Sequence, residues 1–176
     1  MKYFMLSEDG GNCLPMKINS ENLRNVKEVM DGNIDKMDTW NIFSMVTGKE
    51  TFFPDVLTKP FPMLSKNCFE AVSIYCPDIR YRIIKLLDTE QFKGMTYVLP
   101  VLSKGDYLSE KTEYTNEFHG KFKTIVLKKE KVADKAIIRV DDLNNTYLII
   151  RFDLAESILS RKARGIRLDE VLVDML

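Results

Sequence analysis

Hydrophobic and polar positions alternate most clearly in the stretch AIIRVDDLNNTYLIIRFDLAESILSRKARGIRLDEVLVDML, residues 136–176. Ile138 and Val140 alternate with Arg139 and Asp141, the period-two pattern of a half-buried strand. Asp142-Leu143-Asn144-Asn145 follows, and Asp and Asn tolerate the left-handed backbone that a hairpin turn requires. The return strand, Thr146 to Phe152, puts Leu148, Ile150 and Phe152 on one face and Tyr147, Ile149 and Arg151 on the other. The period then changes. Leu154, Ala155, Ile158 and Leu159 form a helical stripe, with Asp153 and Glu156 spaced as a capping box at its start. Gly165 is the expected helix stop, and Ile166 to Val173 reads as a third strand.

The earlier chain gives shorter signals. Lys2 to Leu6 predicts a strand, Gly10-Gly11-Asn12 a turn, and Asn19 to Met30 a short amphipathic helix after Ser20, with Leu23, Val26 and Met30 inward. Trp40 to Val46 predicts a strand. Residues 50–63, ETFFPDVLTKPFPM, carry three prolines, which forbid a regular helix or central strand. An extended segment is expected there, pinned to the core by Phe52, Phe53, Leu57 and Phe61. Ser65 caps a helix with Cys68, Phe69, Val72 and Cys76 on one side, and Pro77-Asp78 breaks it. Strands follow at Ile79–Leu87 and Met95–Leu102, where Pro100 predicts an edge position or the strand's end. Tyr107 to Phe118 reads as polar loop and Phe122 to Leu127 as a strand. The pattern predicts an α+β fold: a mostly antiparallel sheet with two or three helices packed on it and a C-terminal β-hairpin–helix–strand unit. The proline-rich segment divides the chain into an N-terminal strand and helix portion, 1–49, and a main domain, 50–176.

Composition narrows the function classes. The 176 residues are 45% hydrophobic and 30% charged, as in ordinary globular domains. Lys plus Arg and Asp plus Glu are 26 each, so no net field recruits nucleic acid or an anionic membrane. No apolar run approaches the roughly 20 residues of a membrane span, and the opening MKYFMLSEDGG lacks the apolar segment of a signal peptide. Three cysteines, Cys13, Cys68 and Cys76, without CxxC spacing read as reduced thiols. A cytoplasmic location is expected.

Chemistry-bearing patterns are sparse. His119 is the one histidine, so a Ser-His-Asp triad must use it, and no G-x-S-x-G elbow supplies the serine. No ligand pair has zinc spacing, and none of the 8 glycines belongs to a phosphate loop. Asp141-Asp142 reads as turn chemistry, and Glu110, Glu113 and Glu117 as a solvated face. Lys128, Lys129, Lys131 and Lys135 are interrupted by Glu130 and Asp134 and lack interleaved aromatics for base stacking. No catalytic, cofactor-binding or metal residue is therefore expected, nor an enzyme. The 103–120 segment is the expected partner-binding loop, because long loops without regular structure are often functional.

Several segments carry a family resemblance: FPDVLTKPFPMLSKN, the strand after Pro77-Asp78-Ile79, YVLPVL, and the terminal IIRVDD…YLIIRFDLAESIL…GIRLDEV. Across residues 50–176 the chain resembles a bacterial polymorphic-toxin immunity family, the eleventh immunity class, long catalogued as a domain of unknown function. Phe152-Asp153 stands where that family more often has Val-Ser. The resemblance implies a small cytosolic protein that binds and neutralises a cognate toxin, without catalytic residues to transfer. A structural or regulatory domain that self-associates as a homodimer through strand edges is the alternative expectation.

Overall fold

The computed structural model describes residues 1–11, 16–18, 23–116, 118 and 120–174. The expectations for Asn12, Cys13, Ser20, Glu117 and His119 lie outside these residues. The protein is α+β, with two larger sheets that are mostly antiparallel.

The first sheet has five strands. Its members are β1 (Tyr3–Glu8), β10 (Val126–Lys128), β11 (Ile137–Asp141), β12 (Thr146–Arg151) and β13 (Ile166–Asp174), in the order β10-β13-β1-β12-β11. Strand β1 lies between β12 and β13 and is antiparallel to both, while β10 joins β13 in parallel. Both faces of this sheet are covered. Leu6, Leu148 and Ile150 pack under α4 (Phe152–Ser160) and α2 (Lys66–Tyr75). On the other face Tyr3, Ile138, Val140 and Ile149 pack under Phe122, Leu127 and Val132. Val132 belongs to α3 (Lys129–Val132), a single turn whose sequence carries no helical period.

The second sheet has six strands: β2 (Met16–Ile18), β3 (Trp40–Val46), β4 (Val56–Leu57), β5 (Met63–Ser65), β6 (Arg80–Asp88) and β7 (Lys93–Val101). Their order is β2-β3-β6-β7-β5-β4, and only β3 and β6 run parallel. One face buries Phe43, Met45, Ile84, Leu86, Tyr97 and Leu99 against α1 (Leu23–Met30) through Val26, Val29 and Met30. Residues before position 50 thus enter both sheets, as β1 in one and β3 in the other. Pro100 falls at the strand's end: β7 pairs with β5 only through Tyr97 and Val98, so no further ladder bond is asked of the proline nitrogen. The segment 122–127 is two strands, β9 (Phe122–Thr124) and β10, with β9 pairing the short β8 (Glu113–Tyr114).

Local chemistry differs from expectation at three places in the C-terminal unit. The 142–145 turn uses no positive φ; instead the Asp142 carboxylate accepts from the amides of Asn144 (2.9 Å) and Asn145 (2.7 Å). Asp153 is not a helix cap. Its carboxylate does accept from one first-turn amide, Leu154 (2.9 Å), but the N-cap position falls to Arg151, which donates to both carboxylate oxygens at 2.8 Å each. The helix ends at Ser160 and Lys162, not Gly165, takes the left-handed conformation after it (φ 58°). Gly165 is also left-handed (φ 65°), but because the chain there passes against Phe52 and Pro54. The cap on α2 is as expected, with the Ser65 hydroxyl accepting from the Cys68 amide.

Candidate interaction face

Paired strand residues project to the same side of a sheet, so the register defines the second face of the six-stranded sheet. Across β3, β6, β7 and β5 one row is Trp40, Ile83, Val98 and Leu64. The next rows are Ile42, Lys85 and Thr96, then Ser44, Leu87 and Gly94. Helix α2 covers only one half. Its Cys68, Phe69, Ala71 and Val72 bury Leu64 and Val98, at the β5 and β7 end. Among the described residues nothing lies over β3: Trp40 is 64% exposed, Ile42 67% and Val46 56%. Ile83 and Leu87 beside them are half-buried. A solvated sheet face is normally polar, whereas this strand presents Trp, Ile, Ser and Val outward.

A groove of about 1010 Å³ adjoins this stripe. Lys66, Asn67 and Glu70 of α2 wall it on one side, Lys85, Leu87 and Thr96 form its floor, and Phe92 closes one end. Phe92 stands at the β6–β7 turn, 94% exposed and with a left-handed backbone (φ 51°). The turn beneath it is densely hydrogen-bonded. Asp88 accepts from the amides of Gln91 and Glu90 and from the amide and hydroxyl of Thr47. These bonds, the Gln91 amide foremost, hold the Asp88 carboxyl down at about 2. Lys93 clamps the neighbouring loop through the carbonyls of Gly48 (2.6 Å) and Lys49 (2.9 Å).

Most charges around the groove are engaged. Asp55 accepts from the Ser65 hydroxyl and the Arg164 amide, and Glu70 lies 3.9 Å from Lys66 and 3.6 Å from Arg161. Lys85 is different: among the described residues its side chain makes no hydrogen bond or ion pair, and it projects from the middle of the apolar rows. Among the described residues the arrangement presents an apolar surface with one unpaired cation, Lys85, at its centre. Among the described residues that line it, no nucleophile is paired with a base.

The residues singled out by sequence fall elsewhere. Asp141 and Asp142 are both used internally: Asp141 accepts from Arg139 (2.9 Å) and Thr146 (2.7 Å), and Asp142 holds its turn. Glu113 pairs with Lys123 at 2.9 Å, Lys128 with Asp106 at 2.6 Å, and Lys135 lies 3.8 Å from Asp134. Cys68 is buried, and desolvation pushes its thiol up to about 12, which makes it unreactive. Leu57 and Phe61 are buried, as expected for core anchors, and Phe52 and Phe53 are half-buried. The 103–120 segment covers the five-stranded sheet with Tyr107, Leu108 and Tyr114, and Ser109 and Lys111 fasten it to Asp174, each at 2.8 Å. No three His, Cys, Asp or Glu among the described residues are grouped to hold a metal ion. No helix among them is long and apolar enough to cross a membrane.

The open face had a sequence signal that strand prediction alone does not use. In Trp40–Val46, Phe43 and Met45 fill one parity while Trp40, Ile42 and Val46 fill the other. A strand apolar on both sides asks for two covers, and the described residues provide one. Comparison of the sequence with protein-family models and with curated proteins gives no match.

Proposed function

We propose that this chain is a non-catalytic binding protein that neutralises a cognate bacterial toxin in the cytoplasm, and that the open β3–β6 face is its binding surface. The uncovered row Trp40, Ile42 and Val46, set beside a groove on a hydrogen-bonded sheet, carries the reading. Aromatic and aliphatic anchors on a preformed surface are what a tight protein interface is built around. The sequence resemblance over residues 50–176 supplies the partner class. A stable complex of this kind buries roughly 1,200–2,000 Å² in total.

The test is co-expression with the products of adjacent genes, together with purification from the native cytoplasm. One partner whose toxicity is relieved by the wild type, but not by Ile42→Asp, is the expected outcome. Relief that persists undiminished in Ile42→Asp and Trp40→Asp moves the surface elsewhere. Recovery of this chain alone, with reversible self-association in sedimentation, favours the homodimer instead.

A further inference from the structure

We infer that the partner element seated on the open face is an amphipathic α-helix, lying beside α2 and placing a carboxylate against Lys85. This rests on the proposed binding role and adds what the partner must present.

The width of the opening selects the element. Neighbouring strands lie roughly 4.8 Å apart and packed helices roughly 8–10 Å apart, so one helix covers about two strands. Helix α2 takes the β5 and β7 positions, burying Leu64 and Val98. The next two strands outward are β6 and β3, the open pair. A single helix set next to α2 would complete the layer, touching Trp40, Ile42, Ile83 and Leu87 below. Its flank would meet Lys66, Glu70 and Ile74, which follow one another at four-residue spacing on the exposed side of α2.

Other occupants match less well. An added strand gains its affinity from backbone bonds at a sheet edge. The open surface is a face, and β6, which carries Lys85, is bonded on both sides by β3 and β7. A second copy in two-fold contact sets the same patch on itself. It brings another Lys85 to the same apolar field, while Asp55, Glu70 and Asp88 are already engaged. An unpaired ammonium inside an interface is costly, and a partner carboxylate removes that cost.

The experiment places a benzophenone-bearing amino acid at position 42 of the full chain in its native cells, and separately at position 143 as a control. Adducts formed on illumination are sequenced. The expected adduct at 42 is a partner segment with apolar residues at three- and four-residue spacing and an acidic residue among them. As a synthetic peptide it is helical when bound, loses about tenfold or more in affinity to Lys85→Glu, and recovers when its own acid is changed to Lys. An adduct with an extended segment, an adduct with this same chain, or no adduct at 42 overturns the inference. The two proposals fail separately. A helical adduct from a non-toxic protein leaves the helix and removes the toxin. Neutralisation with no adduct at 42 does the reverse.

Discussion

The guanidinium of Arg139 donates to the carbonyl oxygen of Met30 at 2.5 Å, joining strand β11 to the last residue of helix α1. Arg139 is 6% exposed, and it also reaches Asp141 through Nε (2.9 Å) and Asp31 through Nη2 (3.3 Å). Lys104 closes the cluster, 2.8 Å from Asp31 and 3.6 Å from Asp141. Two cations and two carboxylates therefore alternate where a helix presents its unsatisfied carbonyls.

Arg139→Met keeps the volume and removes all three donors. Breaking a buried pair by deleting one partner costs about 3–5 kcal/mol, but Asp31 and Asp141 keep some contact with water, so about 2–3 kcal/mol is expected. Urea titration of the variant against wild type measures it. Asp31→Asn, which leaves Met30 and Asp141 satisfied, should lose no more than about 1 kcal/mol.

Acid should loosen the β6–β7 turn. Asp88 has its folded pKa depressed to about 2, chiefly by the Gln91 amide and then by Thr47. A depressed carboxyl contributes stability above its unfolded pKa of about 3.9 and loses it as pH falls toward the folded value. The difference in urea midpoint between wild type and Asp88→Asn should be full at pH 6, shrink from pH 4 downward and be smallest near pH 2. A difference independent of pH refutes the role of the charge.

Gly165→Ala meets two obstacles. Its φ of 65° disfavours any side chain, and the added Cβ would lie 2.6 Å from Phe52 Cε1 and 2.8 Å from Pro54 Cβ. Backbone strain plus overpacking predicts about 2–4 kcal/mol lost. Gly32→Ala, where φ is 107° but nothing lies within 4 Å, should lose only the backbone part, about 1–2 kcal/mol. Thermal melts of the pair separate the two contributions.

Phe92→Asn should stabilise the protein. An exposed phenylalanine in the left-handed region is strained without burial to offset it, and Asn tolerates that backbone, so a gain of about 0.5–1 kcal/mol is expected. On the proposed binding role, the same variant should also weaken partner binding, because Phe92 lines the groove. A variant that is more stable and binds less well is the signature of a side chain kept for contact.

Local signals read well from sequence wherever one residue decides the outcome. The Ser65 cap, the break at Pro77 and the strand β3 are each set within a few positions. Signals failed where a neighbour competes. Arg151 takes the Asp153 carboxylate that spacing assigns to a cap, and Arg139, polar and alternating with Ile138, looks solvated until α1 is placed over it. Sheet partners were illegible because they are non-local: nothing in Tyr3–Glu8 names β12 and β13 as its neighbours. The open face stayed hidden for a related reason. Apolarity on both sides of β3 is written in the residues, but which face the described elements leave open is a property of the assembled layers.

Strand β1 also fixes when the protein can form. Tyr3 pairs with Arg151 on one side and Val171 on the other, so β1 waits for two strands made far later in the sequence. Closing so long a loop is slow, and although the β11–β12 hairpin pairs locally, β1 has no neighbour until the distant strands arrive. A nascent chain stalled before β12 would have neither neighbour for β1. The sheet is closed by a clasp whose two halves lie far apart in the sequence, and it fastens only once both have been made.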